Sequence, residues 1–351
     1  MPRQRSLPGF SAAHKTDRPD GPRVSVFGAG AWGTALALAF GRAGRPVTLW
    51  ARRPAHAAVL RRDGVNAAYL PGVALDPPPE MTEDLEAAAQ AAEIAVLAAP
   101  AQHLRALAER LAESLAPEVP AVICAKGIEA GSGYLMSEVL AEARPGAPLA
   151  VLSGPTFAAE VARGLPTAVS LAAADPALAA QLCASLGGAD FRPYAHDDVV
   201  GVDLGGAVKN VIAIACGIVA GRGLGENARA ALMTRGLAEI TRLVVAKGGA
   251  ATTPGGLSGL GDLALSCASR ASRNFALGVG LGRGLDKDHA LGATGSVVEG
   301  AATAGAVVAL AARLEVDLPI CQAVDAVLNR GAAIDTEIAA LLSRPFRPES
   351  V

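Results

Sequence analysis

The chain has 351 residues, of which 51% are hydrophobic and 18% are charged, so it can bury a large core and is not intrinsically disordered. Its 31 Lys and Arg against 33 Asp and Glu give a formal charge of -2, which argues against a general nucleic-acid binder. The five cysteines are widely spaced and form no CxxC pair, which excludes a disulfide framework and a cysteine zinc site. A reducing, cytoplasmic location is therefore predicted.

The N-terminal half has the pattern of alternating strands and helices. Residues 1–22 carry no apolar stretch and are predicted to be a disordered tail rather than a secretory signal. Over residues 23–200, short apolar runs alternate with helical patterns, which predicts βαβ units and a Rossmann-like, doubly wound, mostly parallel sheet. The predicted strands are 24–28, 46–50, 93–100, 121–126, 149–153 and 168–172.

The C-terminal half shows helical spacing. Residues 201–345 contain long Ala/Leu/Val segments, broken by glycine clusters at 221–225, 248–249 and 255–261, and predict an all-α domain. The most apolar stretch, 211–220, is about half the length that crosses a bilayer, so no membrane span is predicted.

A glycine-rich turn follows the first predicted strand. Residues 28–33 (GAGAWG) match GxGxxG between a strand and a helix-forming run. Gly28 permits the tight turn, Gly30 lets the backbone approach a pyrophosphate, and Gly33 lets the helix pack on the strand. The helix N-terminus adds amide donors and positive potential. The context favours a dinucleotide site over a plain turn in an Ala/Gly-rich chain.

Two arginines follow the second predicted strand. A cofactor site selective for NAD has Asp or Glu there, which bonds the ribose 2′-hydroxyl, whereas this chain continues as Ala51, Arg52 and Arg53. Arginine attracts a 2′-phosphate, so NADP is predicted to be accepted. The alternative is a pair of solvated arginines at the start of a helix.

Two of the five lysines interrupt apolar or small-residue runs. Lys126 ends a predicted strand, at the edge where a doubly wound sheet binds its ligands. Lys209 lies on a predicted helix after Gly205 and Gly206, which allow a close approach. In a dry cleft its pKa is lowered, so it can exchange protons near neutrality. The alternative is a lysine whose head group reaches water.

Two further segments carry polar groups suited to a site. Asp262 stands between glycine turns and an apolar run, and we expect it to hold the Lys209 ammonium or a substrate hydroxyl, or else to cap a helix. Ser272, Arg273 and Asn274 open a helical run, where a serine cap, free amides and a guanidinium make an anion site. The alternative is an ordinary exposed helix start.

Seven motifs occur together and in order: GAGAWGTALA (28–37), AKGIE (125–129), SGPTFAAE (153–160), DLGGAVKNVIAIACG (203–217), GLGDL (259–263), SRN (272–274) and VVEG (297–300). Over residues 23–343 the chain closely resembles bacterial-type NAD(P)-dependent glycerol-3-phosphate dehydrogenases. The resemblance implies a homodimer that reduces dihydroxyacetone phosphate to sn-glycerol 3-phosphate with NADPH or NADH and supplies phospholipid synthesis.

The resemblance also implies roles for individual residues. Lys209 is implied as the proton donor and acceptor, with no metal needed because its ammonium neutralises the oxyanion. The implied substrate contacts are Lys126, Gly154, Thr156, Lys209, Asp262, Ser272, Arg273 and Asn274. The implied cofactor contacts are Ala31, Trp32, Arg52, Lys126, Ala158, Arg273, Val297 and Glu299. Arg273 stands in both sets, so it serves the substrate phosphate, the cofactor or both.

Two other functions remain open at this point. A dehydrogenase of the β-hydroxyacid or ketopantoate type also pairs a Rossmann domain with helices and a catalytic lysine. The SRN segment favours a phosphorylated substrate over those. A non-catalytic nucleotide-sensing module predicts loss of Lys209 or Asp262, and both are present.

Overall fold

The computed structural model describes residues 21–292 and 298–345. Most of the predicted tail and residue Val297 therefore lie outside the described residues. Within them, eight strands form one sheet in the order β3-β2-β1-β4-β5-β6-β7-β8, and only the β6–β7 pair is antiparallel. The strands are β1 (Val24–Phe27), β2 (Val47–Trp50), β3 (Glu80–Thr82), β4 (Ile94–Leu97), β5 (Ala121–Ile123), β6 (Leu149–Ser153), β7 (Thr167–Ala172) and β8 (Phe191–His196).

The predicted doubly wound, mostly parallel sheet is confirmed. The helices between the strands are α1 (Ala31–Arg42), α2 (Pro54–Asp63), α3 (Leu85–Gln90), α4 (Leu104–Ala112), α5 (Met136–Ala143), α6 (Ala158–Ala162) and α7 (Pro176–Leu186). One apolar layer joins the sheet to α1, α2, α6 and α7, and a second joins its opposite face to α3, α4 and α5. Because both faces are covered, β4 and β5 are apolar along their whole length, and the one polar residue of β1, Ser25, donates its hydroxyl to the Ala88 carbonyl.

Sequence patterning missed the two outermost strands. β3 (EMT) has three residues, and β8 (FRPYAH) contains Arg, Pro and His, so neither is a continuous apolar run. Both lie at the edges of the sheet, where charged residues and proline are tolerated because one side needs no partner strand.

The remaining elements after β8 are helical, as predicted. They are α8 (Val199–Gly221), α9 (Glu226–Ala246), α10 (Asp262–Ala268), α11 (Arg273–Gly282), α12 (Lys287–Gly292), α13 (Glu299–Arg313), α14 (Pro319–Asn329) and α15 (Ile334–Leu342). The glycine-rich stretch before α10 was expected to break the helical pattern. It forms instead a 3-10 turn (Thr253–Gly255) and a π-helical turn (Leu257–Gly261) that runs directly into α10.

Helix α8 is the central element of this half. It has 23 residues, more than the predicted apolar stretch, and is long and apolar enough to cross a membrane by composition. However, 89% of its most apolar window is buried inside the protein. Helices α9, α10, α11 and α13 pack around it, so its apolar surface faces protein on several sides.

Glycines let α11 approach the backbone of α8. A Cβ at Gly278 would lie 2.1 Å from the carbonyl oxygen of Ile214, and one at Gly217 would lie 2.2 Å from that of Phe275. Gly221 and Gly282 make the same kind of contact one turn further along. Since the obstructing atoms are backbone, neither helix can yield by changing a rotamer.

We predict that Gly278→Ala lowers the free energy of unfolding by about 1–3 kcal/mol, because the added methyl forces the two helices apart. Thermal or denaturant unfolding measures the change. Gly292→Ala is the matched control, because no atom of the described residues lies within 4 Å of the added Cβ. Equal stability of the two variants would contradict the tight α8–α11 contact.

Candidate active site

The site begins where two neighbouring strands of the sheet end. β5 ends at Ile123, three residues before Lys126, so the strand is shorter than predicted and the lysine lies in the loop that follows it. β6 ends at Ser153, directly before Gly154. The Lys126 ammonium donates to the Gly154 carbonyl at 3.1 Å, and the Thr156 hydroxyl donates to the same carbonyl at 3.2 Å. The strand ends thus bring these three predicted site residues together.

A single carboxylate joins the two lysines. Lys209 Nζ lies 2.8 Å from Asp262 Oδ1, and Lys126 Nζ lies 2.6 Å from Asp262 Oδ2. The Asp262 side chain is 1% exposed, and that of Lys209 is 9% exposed. Lys209 therefore does not extend its head group to bulk water. Asp262 is the first residue of α10, and no side chain caps that helix, so its carboxylate serves the lysines instead of backbone amides.

The charges of this cluster set its protonation. Burial has the largest effect on the pKa of Lys209 and lowers it. The Asp262 carboxylate raises this pKa and the Lys126 ammonium lowers it, so that the pKa lies below its usual value. Burial alone would raise the pKa of Asp262, but Lys126 and Lys209 hold it below its usual value. Two ammoniums against one carboxylate leave a net positive charge, which suits an anionic substrate.

Ser266 also belongs to this cluster, although its position in the sequence did not single it out. The Lys209 ammonium donates to its hydroxyl at 2.7 Å. Ser266 stands four residues after Asp262 on α10, and residues four apart share one face of a helix. That spacing could have indicated it once Asp262 was selected.

Glycines on α8 allow the helix to lie against the strand ends. A Cβ at Gly206 would lie 2.5 Å from the Ser153 hydroxyl and 3.6 Å from Lys126 Cγ. A Cβ at Gly205 would lie 3.2 Å from the Ser258 carbonyl oxygen in the π-helical turn. Lys209 follows one turn later, so this contact delivers its side chain to the cluster.

The SRN segment lies beside the same helix. Ser272 is the N-cap of α11, and its hydroxyl accepts from the Phe275 amide, as expected of the serine at this position. Asn274 donates to the Asn210 side chain at 2.9 Å and accepts from the Gly300 amide at 3.0 Å. Asn210 is the neighbour of Lys209, so Asn274 is fixed next to the lysine cluster.

The glycine turn has the geometry that a dinucleotide requires. Gly28 has φ of +127°, and a Cβ there would lie 2.8 Å from the Ala98 carbonyl oxygen. A Cβ at Gly33 would lie 1.8 Å from the Gly28 carbonyl oxygen, whereas Gly30 faces open space. No side chain caps the N-terminus of α1. Its first amides are thus left for an anion, and the residues present fit a pyrophosphate.

Other predicted cofactor residues surround this turn. Ala31 and Trp32 form the first turn of α1, and Ala158 on α6 packs in the same apolar layer. The Trp32 indole nitrogen is buried without a hydrogen-bond partner among the described residues. Glu299 Oε1 accepts a long hydrogen bond from the Ala101 amide at 3.4 Å. Glu299 Oε2 is buried and has no hydrogen-bond partner among the described residues. Burial raises the pKa of Glu299, and Arg273 opposes that shift.

Arg52 and Arg53 lie at the end of β2. The Gly28 amide donates to the Trp50 carbonyl at 3.1 Å, which places this strand end next to the glycine turn. Both arginines are exposed. Arg53 donates to the Tyr69 hydroxyl at 3.1 Å and precedes α2 as its N-cap.

A dinucleotide turn on a doubly wound sheet, next to a buried lysine–carboxylate cluster, defines the chain as a nicotinamide-dependent dehydrogenase. Two family descriptions match it: "NAD-dependent glycerol-3-phosphate dehydrogenase N-terminus" over residues 23–179, and the corresponding C-terminus over residues 198–339. The chain belongs to the NAD-dependent glycerol-3-phosphate dehydrogenase family, and it is an NAD(P)-dependent oxidoreductase. The family predicted from the motifs is confirmed.

Individual relatives agree with this assignment. The chain is 56% identical over 326 residues to glycerol-3-phosphate dehydrogenase [NAD(P)+] of Rhodospirillum rubrum, which covers 93% of each chain. It is 52% identical over 328 residues to the enzyme of that name from Caulobacter vibrioides, covering 93% of this chain and 99% of the relative.

Solved structures show the same fold. The crystal structure of glycerol-3-phosphate dehydrogenase from Coxiella burnetii has a TM-score of 0.89 and 38% identity, covering 92% of this chain and 99% of that one. A ketopantoate reductase from Ralstonia eutropha reaches a TM-score of 0.54 at 16% identity, over 90% of this chain and 99% of that one. That second likeness concerns the fold alone.

We predict that Asp262→Asn moves the basic limb of the pH profile for ketone reduction to lower pH. If Lys209 donates the proton in ketone reduction, only its protonated form is active, and the rate falls as pH rises through the Lys209 pKa. The Asp262 charge raises that pKa, and removing it lets the pKa fall further. The measurement is kcat/KM for dihydroxyacetone phosphate against pH.

Ser266→Ala is the control for this shift. It removes the other acceptor of the Lys209 ammonium but no charge, so its basic limb should stay near that of the unaltered protein. Identical profiles for Asp262→Asn and the unaltered protein would show that Lys209 does not set the limb.

Proposed function

We propose that the chain reduces dihydroxyacetone phosphate to sn-glycerol 3-phosphate, with Lys209 as general acid and, in reverse, general base. The observation that carries this proposal is the buried Lys209 ammonium, held by Asp262 at 2.8 Å beside the strand ends. Family membership supplies the substrate and the coenzyme. Bound NADPH or NADH supplies the hydride that reaches C2 of the ketone.

One N–H group of the Lys209 ammonium has no hydrogen-bond acceptor among the described residues. Of its three N–H groups, one donates to Asp262 and one to Ser266, which leaves the third for the substrate oxygen. As C2 is reduced, that oxygen gains negative charge, and Lys209 neutralises it by donating its proton. Asp262 keeps the ammonium oriented. Because burial lowers the Lys209 pKa, the proton is released more readily than from an exposed lysine.

The remaining predicted residues orient the substrate in this proposal. Lys126 donates to Asp262 and Gly154, so its third N–H is available to the bound ketone. Arg273 and the start of α11 recognise the terminal phosphate, since a guanidinium and the N-terminus of a helix favour a dianion. Asn274 stands beside Lys209 through Asn210.

We predict that Lys209→Ala lowers kcat by about 10²–10⁴-fold, because it removes the proposed proton donor. NADPH binding, measured by fluorescence titration, should be nearly unchanged. Lys287→Ala is the control, because that lysine is at the surface and its ammonium donates to the Asn329 side chain, outside the lysine–carboxylate cluster. Parallel loss of NADPH binding in Lys209→Ala would assign this lysine a structural role.

We propose that Arg52 and Arg53 accept the 2′-phosphate of NADP. Two facts support this proposal: both arginines lie at the end of β2, where an NAD-selective site has a carboxylate, and both carry a positive charge. Arg53 donates to the Tyr69 hydroxyl, whereas Arg52 has no hydrogen bond within residues 21–292 and 298–345.

We predict that Arg52→Ala weakens NADPH binding by about tenfold or more, from the loss of a charge-assisted hydrogen bond, and leaves NADH binding unchanged. Titration of both coenzymes measures the ratio. Arg62→Ala is the control, because Arg62 lies exposed on α2 and pairs with Asp63. An equal change for NADH and NADPH would contradict the assignment.

The organisation of the protein is also proposed on the resemblance. We infer a cofactor domain over residues 23–200, a catalytic domain over residues 201–345, and a homodimer in the cytoplasm. The product would supply glycerophospholipid synthesis. The structural likeness to a ketopantoate reductase favours no second function, because the SRN segment and family membership both point to a phosphorylated substrate.

A further inference from the structure

One backbone carbonyl in the glycine turn receives two side-chain donors. The Asn66 amide nitrogen donates to the Ala29 carbonyl oxygen at 3.1 Å, and His56 Nε2 lies 3.2 Å from the same oxygen. A carbonyl oxygen only accepts, so His56 Nε2 carries the hydrogen. Both donors come from α2 and the loop after it, outside the GxGxxG segment itself. Neither residue stands among the site residues that the sequence indicated.

The direction of this carbonyl fixes the direction of the next amide. The Ala29–Gly30 peptide is planar and trans, so its N–H points opposite to its C=O. With the Ala29 oxygen held by Asn66 and His56, the Gly30 N–H points to the other side of the turn. No backbone acceptor takes that N–H within the part of the chain that the structure describes, and the Cβ direction of Gly30 is open.

The two donors are themselves held in place. Asn66 is 1% exposed, and its amide nitrogen also donates to the Thr34 hydroxyl at 2.8 Å. The His56 ring meets the Tyr69 ring edge to face, with centroids 5.4 Å apart. The Asn66 carbonyl accepts from the Tyr69 amide at 3.1 Å, which closes the loop on itself. The donor geometry is therefore set before any ligand arrives.

We propose that Asn66 and His56 are positioning residues for the coenzyme: they hold the Ala29 carbonyl away from the pyrophosphate and so aim the Gly30 amide at it. The inference deepens the proposed function, because it concerns the same dinucleotide site. We call the two hydrogen bonds from Asn66 and His56 to the Ala29 carbonyl the clamp. Since the pyrophosphate is common to NADH and NADPH, the clamp affects the binding of both coenzymes equally. Arg52 differs from the clamp, because in the proposed function it contacts only the 2′-phosphate of NADPH.

The decisive variant is Asn66→Asp, which keeps the volume but replaces the two N–H donors with acceptors facing the Ala29 oxygen. The dissociation constants of NADH and NADPH should rise together by about tenfold. With saturating coenzyme, kcat should be unchanged, because no reacting atom is touched. Thr34→Val is the matched control: it removes the second hydrogen bond of Asn66 and leaves the bond to Ala29.

His56→Phe gives a second measurement that does not depend on the folding of Asn66→Asp. It keeps an aromatic edge against Tyr69 but loses the donor, so both dissociation constants should rise, and less than in Asn66→Asp. Melting temperatures of all three variants separate binding from stability. Equal weakening by Asn66→Asp and Thr34→Val, or unchanged binding in His56→Phe, would overturn the proposal.

Direct titration without substrate keeps this test separate from the reaction. If the unaltered protein bound coenzyme but did not reduce dihydroxyacetone phosphate, the proposed function would fail and the clamp would still be measurable. If turnover were normal and Asn66→Asp bound coenzyme like the unaltered protein, only the clamp would fail.

Discussion

The architecture of the site depends on one buried carboxylate shared by two ammonium groups. Asp262 is 1% exposed, and a charge so far from water is stable only when it is paired. Lys126 comes from the loop after β5, Lys209 from the middle of α8, and Asp262 from the start of α10. The ion cluster therefore connects the sheet to the helices, and it orients the amine that the proposed chemistry needs.

This cluster is possible only because the surrounding backbone is tightly packed. Gly205 and Gly206 let α8 lie against the strand end and the π-helical turn, and Gly217 and Gly221 let α11 lie against α8. Side chains at these positions would push the helices apart by several tenths of an ångström or more. The same glycines lower the helix propensity of α8, and the burial of the helix on several sides offsets that cost.

The coenzyme end of the site uses backbone where the substrate end uses charge. The glycine turn and the uncapped start of α1 offer amide groups, and their aim depends on the Ala29 carbonyl held from behind. Arg52 and Arg53 add charge at the periphery, at the end of β2. Under the proposed function, recognition of the pyrophosphate is thereby separated from discrimination at the 2′ position, since different groups would perform them.

The sequence alone determined the fold class, the glycine turn, the all-helical second half and the two lysines worth attention. Those features are local: an apolar run, a turn pattern, or a charge within an apolar segment shows itself over a few residues. The tertiary structure decided that Asp262 binds both lysines, that the Ser266 hydroxyl accepts from Lys209, and that Asn66 and His56 donate to the Ala29 carbonyl in the glycine turn. It also placed β3 and β8, whose polar residues interrupt the apolar run by which a buried strand is predicted from sequence. These features join segments tens of residues apart, and the partner of a polar side chain is fixed only when packing excludes water from around it.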